Sequence, residues 1–125
     1  MNKLIIIGNL TRDPEARDVN GQTLCTFTVA VNRRVKAGAH PQADYVRVST
    51  WGALGDSCAQ YLAKGRKVYV DGPVAAYAYS DSNTGEPRGR LEMRADNVEF
   101  LTPKNQVSTD EHGDFTEVDD DEIPF

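Results

Sequence analysis

Tyr45-Val46-Arg47-Val48-Ser49-Thr50-Trp51 alternates valines with polar or aromatic side chains at a period of two. That is the pattern of a strand with one face in a core. Val46 and Val48 must face inward, which sends Tyr45, Arg47, Ser49 and Trp51 to the other side. The preceding run, Leu24 to Asn32, reads the same way, with Cys25, Phe27, Val29 and Val31 on one face and Thr26, Thr28 and Asn32 on the other. A polar loop, Arg33 to Gln42, joins the two.

Toward the N-terminus, Lys3 to Leu10 is apolar on both faces from Leu4 through Ile7, so both sides need cover: the core on one, a partner subunit on the other. Asp13-Pro14 through Asn20-Gly21 is rich in turn residues and reads as a connection. Beyond Trp51 the period changes. Leu54, Cys58, Tyr61 and Leu62 recur at helical spacing within Ala53 to Lys64, and Gly65 stands where a left-handed cap would end a helix. Arg66 to Asp71 is again a strand, and Val74 to Tyr79 with Arg90 to Leu101 flank the turn signal Asp81-Ser82-Asn83-Thr84-Gly85 as a long hairpin. Leu91 and Met93 have the opposite parity to Val98 and Phe100, which predicts a bulge or bend near Asp96-Asn97. The whole is an all-β domain carrying one helix.

A chain of 125 residues has room for one domain. With no run of about 18 apolar residues and no signal-peptide core, it is expected in the cytoplasm without a membrane partner. Cys25 and Cys58 lack metal or redox spacing and read as reduced core thiols, so no metal and no cofactor are expected. The net charge of −5 hides a segregation: all 14 Lys and Arg lie in residues 1–104, whose net charge is +3, whereas residues 105–125 carry −8. A basic body with an acidic appendage points toward a polyanionic partner.

The outward aromatics carry the functional reading. Tyr45 and Trp51 bracket Arg47, Tyr77 and Tyr79 share a face near Arg88 and Arg90, Tyr69 stands opposite Val68 and Val70, and Arg33, Arg34 and Lys36 occupy the loop. Each feature alone has a plain structural reading as sheet packing or solvated charge. Together they describe a barrel whose outer face could stack unpaired bases on rings and hold phosphates with cations, without reading base edges. The last residues, Asp119-Asp120-Asp121-Glu122-Ile123-Pro124-Phe125, set four acids before an aromatic end, which suits a pocket with a basic rim. From about residue 104 the chain is poor in aliphatics and is expected to be disordered.

Asn2-Lys3-Leu4-Ile5-Ile6-Ile7-Gly8-Asn9-Leu10 with Asp13-Pro14-Glu15, Tyr45-Val46-Arg47-Val48 with Trp51-Gly52, Tyr61-Leu62-Ala63-Lys64-Gly65 and Val68-Tyr69-Val70-Asp71-Gly72 resemble, in order and spacing, the bacterial single-stranded DNA-binding protein family. The ending Asp120-Asp121-Glu122-Ile123-Pro124-Phe125 looks like that family's acidic partner-binding tip. The resemblance implies a five-stranded OB-fold barrel over residues 1–103, with one short helix between the third and fourth strands. A linker over 104–118 and a tip over 119–125 would follow. It further implies a homotetramer, associated with the nucleoid, that binds single-stranded DNA and meets replication, recombination and repair proteins through the tip. By position, Tyr45, Trp51 and Tyr79 match the family's stacking aromatics and Arg47 a basic residue of the same strand, whereas Val35 stands where some members have a stacking Trp. An enzyme is not expected, because His40 and His112 have no paired acid or nucleophile in the pattern. The alternatives weighed against this reading are a nuclease using scattered carboxylates and an OB-fold adaptor for protein or RNA.

Overall fold

The computed structural model describes residues 1–102. The expected linker over 104–118 and tip over 119–125 fall outside the described residues. Within them, eight strands and one helix follow in order: β1 (Leu4–Leu10), β2 (Glu15–Val19), β3 (Gln22–Asn32), β4 (Ala43–Trp51), α1 (Gly52–Tyr61), β5 (Lys67–Gly72), β6 (Val74–Ser80), β7 (Pro87–Arg94) and β8 (Asn97–Phe100). The sheet order is β6-β7-β4-β3-β1-β5-β8, with β2 added to β3. All pairings are antiparallel except β4 with β7.

The sheet closes on itself at the bend foreseen from the parity change. Up to Arg94 the chain runs beside β4; then the Ala95 N–H donates to Ser49 O at 2.9 Å and the next N–H, of Asp96, donates to Asp71 O at 2.7 Å. One continuous segment thus leaves β4 for β5 within two residues, and the ring β7-β4-β3-β1-β5-β8 is the five-stranded OB-type barrel. Gly72 makes this junction possible. A Cβ there would run into the Arg94 carbonyl, so only a glycine lets β5 approach so closely.

Alternation fills the barrel. Ile6, Leu10, Phe27, Val29, Val46, Val48, Val68, Val70 and Met93 are buried together, each from the inward parity of its strand. Cys58 and Leu62 close one end from the helix side, where the Tyr61 and Phe100 rings sit 5.8 Å apart. Cys25 and Cys58 are both buried free thiols, and desolvation pushes Cys58 up to about 11.

Two expectations need correction. The stretch read as a connection contains β2, because Asn20 (φ 52°) and Gly21 (φ 85°) form a two-residue hairpin turn closed by the Val19 and Gln22 pair. Positive φ at both central residues matches the strands' twist. Its polar residues pack no core and so left no apolar alternation to read. The helix also ends earlier than expected, at Tyr61, with Leu62 already extended. Leu62 is buried in the core, Lys64 N–H donates to Asp13 Oδ1 at 2.9 Å and Gly65 N–H to Leu10 O at 2.9 Å. Tertiary bonds thus stop the helix four residues before Gly65.

Candidate nucleic-acid interface

The face of β4 away from the core continues across β7 and β6. Register sets Arg47 beside Glu92 and Ser49 beside Arg94, then Tyr77 opposite Arg90 and Tyr79 opposite Arg88. All point outward, because the alternate positions Val46, Val48 and Met93 are buried. Tyr45 is 61% exposed, Tyr77 48%, Tyr79 46% and Trp51 37%. Beyond Ala75 both faces of the β6–β7 hairpin are exposed, so this arm projects past the barrel and carries Tyr77 and Tyr79 with it. Across β4 the rings of Tyr45 and Trp51 mark two ends of a path of about 20 Å, six residues of extended chain.

The cations of this face are not equivalent. Arg90 lies over both tyrosine rings, its Cζ 5.5 Å from each centroid, while its Nε meets Glu92 Oε2 at 2.7 Å. Arg88 pairs with Asp81 at 3.3 Å and Glu86 at 3.9 Å. Arg33 is held at the base of its loop by Asp44 Oδ1, at 2.7 Å and 3.0 Å from Nη2 and Nε, and its own N–H donates to Gln42 O at 2.8 Å. That pair raises the Arg33 pKa and lowers that of Asp44, the hydrogen bond being the leading cause in each. Arg34, Lys36 and Arg47 have no ion pair among the described residues. Exposed pairs of this kind contribute little, so the paired arginines can exchange a carboxylate for a phosphate at small cost.

Tyr69 is placed elsewhere. It pairs with Ile7 of β1 and Glu99 of β8, on the far side of the barrel, and its hydroxyl donates to Asp71 Oδ2 at 2.7 Å. Asp71, buried, also accepts from Asn97 at 3.1 Å and lies 3.9 Å from Lys3 Nζ. The hydrogen bond to Asp71 is the first cause that raises the Tyr69 pKa, and the same bond lowers that of Asp71 against its desolvation. Ile5 and Ile7 are exposed on this face, so the outward half of the doubly apolar first strand is uncovered in the single chain. Sequence reasoning also passed over Gln22, Arg94 and Asp96, which surround Trp51.

A closed β-barrel of OB type, with rings and cations on one outer face and no group of three metal-ligating side chains among the described residues, is the class of molecule that these features define. Residues 1–101 match the profile of the Single-strand binding protein family, and the chain belongs to that family. It is 36% identical over 134 residues to single-stranded DNA-binding protein 2 of Clostridium acetobutylicum, the alignment covering all of both chains. Over 108 residues it is 40% identical to the single-stranded DNA-binding protein of Caldanaerobacter subterraneus, covering 84% of this chain and 71% of that one. With single-stranded DNA-binding protein A of Bacillus subtilis it shares 36% over 107 residues, 84% of this chain and 62% of that one. No helix among the described residues is long and apolar enough to cross a membrane.

Proposed function

We propose that the protein binds single-stranded DNA without catalysis, laying the strand along the outer face of β4, β7 and β6. The observation that carries this is the exposure of Tyr45, Trp51, Tyr77 and Tyr79 on one continuous face that also bears Arg47, Arg88 and Arg90. Every base has a π-face, so a row of rings holds any sequence, and the cations track the backbone. Arg34 and Lys36 extend the positive field from the loop beside Tyr45, and Arg33 stiffens that loop through Asp44. Membership of the family and the names of the relatives support this ligand.

The exposed Ile5 and Ile7 support self-association through the outer face of β1, and a tetramer is the assembly we propose. The acidic tip Asp120-Asp121-Glu122-Ile123-Pro124-Phe125 is the segment proposed to recruit replication, recombination and repair proteins, in a protein working at the nucleoid. The discriminating experiment is a competition titration with oligothymidylate, the equivalent RNA and duplex DNA at one ionic strength. Single-stranded DNA should bind tightest and duplex weakest; preference for duplex would remove the stacking face from the account.

A further inference from the structure

At the end of β4, where the chain crosses from β7 to β8, a shallow cavity of about 470 Å³ is lined by Gln22, Trp51, Arg94, Ala95 and Asp96. Gln22, Arg94 and Asp96 are exposed, and their side chains make no hydrogen bond or ion pair among the described residues. A donor, an acceptor and an amide, all without partners, thus converge on the one tryptophan. Along the rest of the face, by contrast, Arg88 and Arg90 are already engaged by carboxylates.

We infer that this cavity is a base-selective seat, in which Trp51 stacks one nucleobase while Asp96 and Arg94 read its edge, with guanine preferred. This rests on the proposed binding of single-stranded DNA along β4. An unpaired base presents its Watson–Crick edge to side chains, which duplex DNA does not allow. A carboxylate can accept two adjacent N–H groups at once, and among the four bases only guanine offers them, at N1 and N2. Guanine also shows O6 and N7, the acceptors an arginine binds in bidentate fashion. Thymine sets a carbonyl on each side of its single N–H, and adenine and cytosine each put a ring acceptor beside the amino group; each can give Asp96 one N–H at most, with a repelled acceptor beside it. The amide of Gln22 can donate or accept, so it adapts to whichever atom remains. The row of rings stays tolerant of sequence, and this one position adds a preference.

The test uses the full chain and three oligothymidylates that carry at their centre guanine, inosine or thymine. Inosine keeps the purine rings, N1–H, O6 and N7 but lacks the N2 amino group, so guanine and inosine differ only at the group Asp96 is assigned to accept. Guanine should bind at least about 5-fold tighter than inosine, the low end of what a bidentate base contact gives. Asp96→Ala, which keeps the backbone N–H bonded to Asp71, should bring guanine and inosine together and tighten the all-thymine strand, whose carbonyls would no longer face a carboxylate. Arg94→Gln should narrow the margin of both purines over thymine. Equal binding of guanine and inosine by the parent, or a guanine margin that survives Asp96→Ala, would overturn the seat. Failure of the all-thymine strand to bind would instead strike the parent reading of the face.

Discussion

The two outer faces of this barrel carry similar raw material and differ in what surrounds it. On β4, β7 and β6, exposed rings alternate with arginines; on β1, β5 and β8, Tyr69 lies among Ile5, Ile7, Asp71 and Glu99. On the first face the ring surfaces are exposed, and Arg90 lies over two of them. On the second the phenol is tied to a buried carboxylate, and its pKa is raised by that hydrogen bond. In the proposed account an outward tyrosine is not enough to make a nucleic-acid contact: an arginine lies over Tyr77 and Tyr79, whereas the Tyr69 hydroxyl is bonded to a carboxylate.

The comparison can be broken most completely at the junction that holds the two faces back to back. Gly72→Ala should cost about 3 kcal/mol, because the new methyl meets a backbone carbonyl and not a side chain that can move. A thermal melt reads this directly, and both self-association and DNA binding should fall with it. Next in size, Trp51→Ala should weaken single-strand binding by about 5- to 150-fold, following the 1–3 kcal/mol that stacking contributes per base in proteins of this kind. Tyr69→Phe, on the other face, should leave that affinity unchanged. A titration of both variants at matched salt checks the contrast, and equal losses would erase it.

The smallest effect is a pH dependence. The Asp71 pKa is lowered in the folded chain by the Tyr69 hydroxyl and by Asn97, so its contribution is present above the ordinary carboxylate pKa and is lost as pH falls through the folded value. Asp71→Asn should lower Tm at pH 7, and the gap to the parent should close on acidification below about pH 4. Tyr69 has the opposite sign: its raised pKa gives stability present below about pH 10 and lost at higher pH.

Apart from the doubly apolar first strand, the barrel strands were legible because they alternate aliphatic and polar residues, and the Ala95-Asp96 crossover was legible because parity flips between Met93 and Val98. β2 was not, since its strand exists through hairpin pairing and not through burial. Outward placement of Tyr45, Trp51, Tyr77 and Tyr79 followed from parity alone. Which outward rings of different strands share a face did not, because that depends on strand order, and parity gives Tyr69 the same standing as Tyr77. Ion pairing was equally hidden: Arg33 and Asp44 stand eleven residues apart across a loop. Gln22 and the Arg94 to Asp96 crossover come from two stretches far from Trp51 in sequence, and only the fold brings them around it.

Trp51 is the sole tryptophan, so its fluorescence reports on the face without any label. Titrating the full chain with oligothymidylate should quench that emission in step with binding followed by mass or anisotropy, and raising the salt should weaken both together. Binding that proceeds to saturation with the Trp51 emission untouched would contradict the placement of the strand on this face.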